Sequence, residues 1–391
     1  MTATRKPFAV YAITRHGIAS ARRLVESLPG ADLFVSEKLA SLAPEGAKLF
    51  PLPMGPLLAD TFVAYDAHVF VISVGAVVRM VAPLLRNKKV DPAVICVDDA
   101  ARFSICVLSG HVGRGNVFTD RVAAALGAQS VVTTASDAIG TLTVDILARD
   151  LGWTLDDPDR NVTRGCAAVV NAAPVLFVQE TGEPSFWPDG PLPEGVRYAT
   201  SLDGVDPAAF EILLIASDRD VARSHPAHFE NAVVYRPKSL MVGLGCDRGA
   251  TSEMVARGVD ALLARNGLAP ASVKAIATVD KKSDEVALVA LAESRGWTMH
   301  TFTAEALDAV EGIETPSETV KKFVGTRGVA EPAALLAAGA AKLLVPKQTY
   351  TEDGAGRSMT FAVARVPFAK RSDGASAPRA ARSTREEEKH G

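Results

Sequence analysis

The stretch FAVYAITRHGIASARRLVESLPGADLFV, residues 8–35, decides the fold of this chain. Its apolar start, residues 8–14, predicts a β-strand, and the RHG that follows predicts a turn. Residues 18–28 predict a helix that ends at Pro29 and Gly30, and residues 31–35 predict a second strand. A strand, a helix and a strand in this order are typical of an α/β domain.

The same alternation continues through the first third of the chain. The run HVFVISV, residues 68–74, is almost entirely apolar, which favours a strand covered on both faces. Residues 93–97 and 103–108 predict two further strands, joined by a polar hairpin loop at 98–102. The remaining elements predicted here are helices at 75–85 and 117–126 and a strand at 131–134.

The rest of the chain predicts two more α/β regions. Residues 152–210 are rich in Gly, Pro and Asp, and their long loop is either a lid or a plain surface excursion. From residue 239 a strand–loop–helix unit repeats in the manner of doubly wound folds. Its predicted elements are strands at 240–244, 273–279, 299–302, 343–345 and 360–366 and helices that end at residues 266, 295 and 341.

We therefore predict a multidomain α/β protein. Open parallel-type sheets flanked by helices form its N- and C-terminal domains, and a small central α/β domain joins them. The predicted domains are 1–138, 139–237 and 238–369, and a length of 391 residues accommodates two or three domains at about 150 residues each. The polar tail at 370–391 has almost no large apolar side chain, so we predict that it is disordered.

Composition excludes several classes of protein. The net charge of −3 argues against a general affinity for nucleic acid. No apolar run reaches the roughly 18 residues that a membrane span needs, and the amino-terminal residues do not resemble a secretory signal. The four cysteines have neither C-x-x-C nor zinc spacing, so we predict free thiols and no metal bound by the protein. We expect a soluble, cytoplasmic protein with no membrane or nucleic-acid partner.

The turn SGHVGRGN, residues 109–116, is the strongest local signal for a site. A glycine-rich turn between a strand and a helix exposes backbone N–H groups that suit an anion. His111 lies inside this turn, where an imidazole can transfer protons near neutral pH. The alternative is a loop histidine that bonds only backbone. The other candidate binding residues of the turn are Gly110, Gly113, Arg114 and Asn116.

Two segments with arginine are further candidates for substrate binding. Arg79 follows a strand, and we place it at the same sheet edge as His111, where it would bind a carboxylate. The segment GLGCDRG, residues 243–249, has its third glycine one place late for a dinucleotide fingerprint, which favours an anion-binding turn with Gly245 and Arg248. In both segments the alternative is an arginine that is merely solvated.

Two acidic residues complete the candidate set. Asp280 lies in TVDKKSDE, residues 278–285, which follows a strand and enters a helix, and Glu331 precedes Pro332 at the start of another helix. Acidic side chains complement the dipole at a helix start, so a structural role is the alternative for both segments. No G-x-S-x-G nucleophile elbow occurs in the chain, and we therefore do not favour acyl-enzyme chemistry.

These motifs, in this order, resemble the CbiG family of cobalamin-biosynthesis proteins over nearly all of residues 8–366. The motifs that carry the resemblance are residues 13–17, 75–84 (GAVVRMVAPL), 109–116, 133–137, 242–249, 278–285, 328–338 (GVAEPAALLAA) and 346–348 (PKQ). The family turn usually reads SGH-x-GGAN, whereas Arg114 and Gly115 precede Asn116 here. Ser136 stands where a Thr is common, and Asp247 stands where a basic residue is common.

The resemblance implies a hydrolase of anaerobic cobalamin biosynthesis that acts on cobalt-precorrin-5A. The implied reaction opens the δ-lactone between the ring A acetate and carbon 20, releases carbon 20 with its methyl group as acetaldehyde, and yields cobalt-precorrin-5B. The anionic corrinoid carries the cobalt, so we expect no cofactor of the protein's own. For this chemistry we hypothesise His111 as the general base, Asp137 as its orienting partner, and the amides of Gly110 and Gly113 as oxyanion donors.

Three other interpretations stay open at this point. The first is a corrinoid-binding or carrier protein without catalysis, the second is a nucleotide-dependent α/β enzyme, and the third is an interaction scaffold that uses the tail from Arg371. The imperfect glycine spacing and the missing P-loop lysine pattern count against the second. A homodimer and contacts with neighbouring pathway enzymes are both compatible with the sequence.

Overall fold

The computed structural model describes residues 5–187, 190–352 and 357–369, which form three β-sheets flanked by helices. The first two sheets are mostly parallel, and the third has two parallel and two antiparallel strand pairings. The predicted α/β class is therefore confirmed. The chain divides after Ile146 into two compact units, of which the first holds one sheet and the second holds two. The tail predicted to be disordered, 370–391, lies outside the described residues. Among the described residues, no helix combines the length and the apolar character needed to cross a membrane.

The first unit is built on a seven-stranded sheet with the order β3-β2-β1-β4-β5-β6-β7. Its strands are β1 (Lys6–Ala12), β2 (Ala31–Ser36), β3 (Lys48–Phe50), β4 (Tyr65–Val71), β5 (Ala93–Val97), β6 (Phe103–Leu108) and β7 (Gln129–Val131). Its helices are α1 (Arg15–Ser27), α2 (Gly55–Thr61), α3 (Val74–Val81), α4 (Gly115–Leu126) and α5 (Ala135–Ile139). Strands β1 to β5 are parallel to one another, whereas β6 pairs antiparallel with β5, and β7 is parallel to β6.

The reversal between β5 and β6 decides where the predicted site residues lie. The loop at 98–102 is too short for a parallel crossover, which takes about a dozen residues, so β6 returns beside β5 and Leu108 pairs with Val94. The turn after β6 therefore lies at the edge where β1, β4 and β5 begin. Arg79 lies in α3, which follows the end of β4 at the opposite edge. The predicted common edge of His111 and Arg79 is wrong for this reason.

Both faces of the first sheet are covered, because its central strands carry apolar side chains on both sides. Phe8 of β1 packs with the residues of α1 and α4, and its ring centroid lies 5.2 Å from that of Phe118. Tyr11 of the same strand packs on the other face with residues of α2 and α3. Thr14 caps α1 by accepting a hydrogen bond from the amide of Gly17 at 2.9 Å.

The second unit contains two five-stranded sheets. The central region has strands β8 (Thr154–Leu155), β9 (Val175–Gln179), β10 (Val196–Ala199), β11 (Ile212–Ala216) and β12 (Ala232–Arg236) and helices α6 (Val162–Val170), α7 (Val221–Ser224) and α8 (Pro226–Glu230). The C-terminal region has strands β13 (Leu240–Cys246), β14 (Val273–Val279), β15 (Thr298–Phe302), β16 (Leu343–Thr351) and β17 (Ser358–Arg365) and helices α9 (Ser252–Arg265), α10 (Val286–Arg295), α11 (Ala304–Asp308), α12 (Glu318–Val324) and α13 (Ala330–Ala338).

The strand orders of these sheets are β10-β9-β11-β12-β8 and β15-β14-β13-β17-β16. A buried ion pair joins the two sheets. The Asp218 carboxylate is 0% exposed and accepts hydrogen bonds from Arg365 at 2.6 and 2.7 Å and from the Ser239 hydroxyl at 2.8 Å. A buried carboxylate needs such donors because an unpaired charge is costly to remove from water.

Close packing of α13 on β13 explains the first glycine of GLGCDRG. A Cβ atom at Gly243 would lie 1.8 Å from the carbonyl oxygen of Ala330. Ala333 and Ala334 of the same helix are also buried, so small side chains on both elements allow the close approach. Gly243 therefore allows α13 to pack closely on β13, because protein atoms occupy the space that a side chain would need.

We expect Gly243→Ala to lower the free energy of unfolding by about 3 kcal/mol, at the upper end of ordinary overpacking, because the obstacle is backbone that cannot rotate away. Gly55→Ala is the matched control, since a Cβ atom there meets nothing within 4 Å. Urea denaturation followed by circular dichroism measures both variants. Equal stability of the two would contradict the packing argument.

Candidate active site

The turn at residues 109–116 is a compact, hydrogen-bonded loop between β6 and α4. The amide of Gly115 donates to the carbonyl of Ser109 at 2.9 Å, and the amide of Arg114 donates to the carbonyl of His111 at 2.9 Å. The Ser109 hydroxyl donates to the carbonyl of Asp91, ahead of β5, at 3.0 Å. The turn is thus held from within and from a neighbouring loop, which fixes the direction of its side chains.

Arg114 stands in the turn where the resembling family usually has glycine. Its φ of 62° is left-handed, a conformation that glycine adopts without strain and that costs other residues about 1 kcal/mol. The side chain is exposed, and its guanidinium lies 5.9 Å from the ring centroid of Phe118. Arg114 therefore adds an exposed cation beside the turn, and its role as a carboxylate anchor stays a prediction.

Gly110 and Gly113 are glycines because the turn packs tightly on itself. A Cβ atom at Gly110 would lie 2.6 Å from Oδ1 of Asn116, and one at Gly113 would lie 2.5 Å from Cβ of Ser109. Within the described part of the chain, neither glycine amide donates a hydrogen bond to a protein acceptor. Both amides therefore remain candidate donors to a ligand oxyanion.

His111 contacts two carboxylates, one at each ring nitrogen. Nε2 lies 2.8 Å from Oδ2 of Asp137 and 3.1 Å from the Ser136 hydroxyl. Nδ1 lies 3.3 Å from Oδ1 of Asp145. The side chain is 18% exposed, so the ring is largely removed from water. The structure thus brings His111 and Asp137 together, as the sequence predicts, and adds Asp145.

Asp137 lies in the first turn of α5, directly after β7, and is the better exposed member of the pair. Its Oδ2 accepts hydrogen bonds from His111, from the Asn116 amide at 2.7 Å and from the Thr134 hydroxyl at 2.6 Å. All three donors meet Oδ2, so Oδ1 accepts no hydrogen bond from the residues that the structure describes. The side chain is 41% exposed, which leaves Oδ1 available to a ligand.

The two carboxylates of Asp137 and Asp145 around His111 favour a protonated His111 beside an ionised Asp137. The close approach of the Asp145 carboxylate raises the pKa of His111 above its usual 6.5, and Asp137 adds to this effect against burial. Burial acts to raise the pKa of Asp137, but the hydrogen bonds from Thr134 and His111 hold it below its usual 3.8. The raised pKa of His111 and the lowered pKa of Asp137 favour His111 as the cation of the pair and Asp137 as the proton acceptor, which reverses the roles predicted from the sequence.

Among the remaining predicted residues, Arg79 belongs to the first unit, whereas Gly245, Arg248, Asp280 and Glu331 belong to the second. Arg79 is exposed and donates to the carbonyl of Gly75 at 3.0 Å, one turn earlier in its own helix. In the second unit, Arg248 is exposed and donates to the carbonyl of Lys281 at 3.2 Å. Asp280 accepts a hydrogen bond from the amide of Lys281 at 2.7 Å.

Gly245 lines a separate cavity of about 260 Å³ at the ends of β13 and β14. Cys246, Asp247 and Lys282 also line it, which gives the cavity polar as well as apolar walls. Burial raises the pKa of the Cys246 thiol, so this cysteine does not have the features of a reactive thiolate. The part of this cavity in binding substrate stays a prediction.

Glu331 lies inside the protein rather than at a surface that a ligand can reach. Its side chain is 2% exposed. Oε2 accepts hydrogen bonds from the amides of Glu314 and Thr315, and Oε1 accepts from the Thr315 hydroxyl and from the amide of Lys347. These four donors lower the pKa of Glu331 against the effect of burial. Its carboxylate thus joins the segment before α12 to β16, and the predicted substrate contact has no support in this arrangement.

The sequence alone did not identify three polar residues near the turn as site residues. Thr134 and Ser136 flank Asp137 in the segment TTASD, so the short polar run after a strand could have identified them. Asp145 gives no such signal, since it is one acidic residue in an apolar segment beyond the predicted domain end at 138. Its proximity to His111 depends on contacts between residues 34 positions apart in the chain.

No group of three or more His, Cys, Asp or Glu side chains is arranged to hold a metal ion in the described ranges, residues 5–187, 190–352 and 357–369. None of the four cysteines forms a disulfide bond within the residues that the structure describes. The side chains of His111, Asn116, Asp137 and Asp145 make hydrogen bonds and ion pairs with each other.

We expect the His111–Asp137 pair to stabilise the fold between two pH limits. The pKa of Asp137 is lowered, so this residue stabilises the fold above pH 3.8, and the stabilisation is lost as pH falls through its folded pKa. The pKa of His111 is raised, so this residue stabilises the fold below pH 6.5, and the stabilisation is lost as pH rises through its folded pKa. The difference in unfolding free energy between wild type and Asp137→Asn should therefore be largest between these limits. Urea denaturation from pH 3 to 9 measures it, and a difference independent of pH would contradict the pairing.

Family models from cobalamin biosynthesis match most of the chain. Three family models match in sequence order: cobalamin synthesis G N-terminal at residues 56–137, the cobalamin biosynthesis central region at 142–237, and the cobalamin synthesis G C-terminus at 240–364.

Two curated relatives match along most of the chain. A protein of Priestia megaterium named cobalt-precorrin-5A hydrolase is 37% identical over 368 residues, which are 93% of this chain and 96% of the relative. A protein of Salmonella typhimurium with the same name is 32% identical over 85% of this chain and 93% of its own. A solved cobalamin biosynthesis protein G homologue from Sulfolobus solfataricus is 20% identical, with coverage of 92% of this chain and 97% of its own and a TM-score of 0.34. The chain belongs to the CbiG family of cobalamin-biosynthesis proteins.

Proposed function

We propose that this chain is a cobalt-precorrin-5A hydrolase, which uses water to open the δ-lactone of its corrinoid substrate and releases acetaldehyde to leave cobalt-precorrin-5B. This chain matches 96% and 93% of the lengths of the two relatives that bear this name. The observation in this chain that carries the proposal is the His111–Asp137 pair, with 2.8 Å between Nε2 and Oδ2, beside a glycine-rich turn.

The first step, lactone opening, needs a proton acceptor for water and donors for the oxyanion. As the water oxygen bonds to the carbonyl carbon, its proton passes to Oδ1 of Asp137 and the carbonyl electron pair moves onto oxygen. The amides of Gly110 and Gly113 and the imidazolium of His111 stabilise this negative charge. Collapse of the intermediate breaks the bond to the oxygen on carbon 20, and Asp137 returns its proton to that oxygen, which becomes a hydroxyl.

The second step removes carbon 20. The new hydroxyl gives its proton to Asp137, and its oxygen forms the carbonyl of acetaldehyde as the bond from carbon 20 to the macrocycle breaks. The corrinoid ring accepts the electron pair of that bond, and Asp137 then releases the proton to solvent and returns to its ionised form. Both steps thus use one carboxylate as the proton acceptor and one cation beside it, which matches the unequal exposure of Asp137 and His111.

Recognition of the substrate needs cations, because its ring carries acetates and propionates. Arg114, exposed beside the turn, is the candidate anchor at this site. Arg79, which lies at the opposite edge of the sheet, and Arg248, which belongs to the second unit, stay untested candidates for carboxylate binding. Gly245 lies near Arg248 in sequence, and Asp280 precedes Lys281, whose carbonyl accepts a hydrogen bond from Arg248. Both stay candidates for substrate contacts other than charge pairing with carboxylates. In this proposal the protein is cytoplasmic and needs no cofactor of its own, since the cobalt enters and leaves with the substrate.

We expect purified protein to release one acetaldehyde for each cobalt-precorrin-5A consumed, measured by coupled oxidation of NADH with alcohol dehydrogenase. His111→Ala should lower kcat about 100-fold or more, because loss of one group that stabilises the oxyanion costs about 10²- to 10³-fold. His300→Ala is the control, since His300 is an exposed histidine on β15 in the other unit.

One outcome would contradict the proposed activity, and another would contradict only the role of His111. Tight binding of the corrinoid without acetaldehyde would exclude the hydrolase and favour a carrier protein. Near wild-type turnover by His111→Ala would remove His111 from the mechanism while leaving the activity intact.

A further inference from the structure

Asp145 lies in the segment that follows α5 and approaches His111 from the side opposite to Asp137. Its Oδ1 is 3.3 Å from Nδ1 of His111, whereas Asp137 contacts Nε2. The imidazole ring is therefore held between two carboxylates. Such an arrangement fixes both the rotation of the ring and the position of its two protons.

The Asp145 carboxylate depends on His111 for compensation of its charge. Its side chain is 15% exposed, and Oδ1 is buried with no conventional hydrogen-bond partner among the residues that the structure describes, so the ring nitrogen is its charged neighbour. A carboxylate removed from water favours a positive partner strongly. Asp145 thus favours the imidazolium form of His111 independently of Asp137.

The segment that carries Asp145 is anchored by the residues that precede it. Leu142 and Val144 are fully buried. The amide of Thr141 donates to the carbonyl of Ser136 in α5 at 3.0 Å, which ties the segment to the helix that carries Asp137. Both carboxylates are therefore positioned by one continuous stretch of chain. Because both contact His111, a substitution of one also alters the interaction of His111 with the other.

We propose that Asp145 is a positioning residue of this active site, which holds Nδ1 of His111 so that the ring stays fixed and charged with Nε2 directed at Asp137. The inference rests on the proposed function. It assigns Asp145 no contact with substrate, since Asp145 acts through His111. It also explains how the proton acceptor can be Asp137, because a histidine clamped at both nitrogens offers no lone pair to water.

The ionisable groups that act on His111 come from two places in the fold. Asp137 belongs to α5, and Asp145 belongs to the segment after it. Cys106, in the strand before the turn, lies close enough to Asp137 for that charge to raise the pKa of its thiol, together with burial. The pH dependence of the reaction should therefore follow the His111 imidazolium on its alkaline side.

The experiment uses the full chain with three substitutions. Asp145→Asn removes the charge and keeps the shape, Asp145→Glu keeps the charge, and Asp60→Asn is the control because Asp60 is an exposed carboxylate on α2. NMR titration of the imidazole gives the protonation state of His111, and acetaldehyde release from pH 5 to 9 gives kcat and KM.

We expect Asp145→Asn to lower kcat about tenfold or more while KM changes less than about twofold, because the lost interaction is with a catalytic group and not with substrate. The alkaline limb of the pH profile should move to lower pH, and His111 should titrate at lower pH than in the wild type. Asp145→Glu should restore part of both, and Asp60→Asn should match the wild type.

An unchanged pH profile and an unchanged His111 titration in Asp145→Asn would overturn the inference. If this variant does not fold, the wild type decides alone: a His111 that is neutral at pH 7, by the nitrogen chemical shifts of its ring, would overturn it as well. Absence of acetaldehyde from the wild type would instead overturn the proposed function, and the NMR result would still decide whether Asp145 controls His111.

Discussion

The antiparallel return of β6 along β5 is the constraint on which the candidate active site depends. Five residues, 98–102, separate the two strands, and so short a connection reverses the chain. The turn that follows β6 is thereby placed at the edge where the parallel strands begin. Ligands of open parallel sheets usually bind at the other edge, and this cluster departs from that rule because its own strands, β6 and β7, run the opposite way.

Charge balance then determines how the cluster is arranged. Asp137 and Asp145 are two carboxylates that face one imidazole, so the pKa of His111 is raised and its charged form is favoured. The two carboxylates differ in exposure, at 41% and 15%, and therefore in what they can do. The exposed one can meet a substrate, while the buried one can act only through the histidine. Two residues of the same type thus take different roles from their surroundings alone.

Packing accounts for motifs in the second unit that resemble ligand sites. Gly243 has no side chain because the backbone of Ala330 lies where a Cβ atom would be. Glu331 follows Ala330, and its carboxylate binds four donors from the protein. A glycine-rich turn or an acidic residue at a helix start therefore has the same local pattern whether its partner is a ligand or another part of the chain.

Local sequence alone determined much about this protein. The alternation of apolar strands with helices predicted the α/β class, and the turn at 109–116 with Asp137 identified the residues that the structure brings together, because these patterns depend on neighbours in the chain. The direction of β6, the burial of Glu331 and the approach of Asp145 to His111 were decided only by tertiary structure. Each of these depends on atoms that are distant in sequence, and only the packing of the folded chain brings such atoms together.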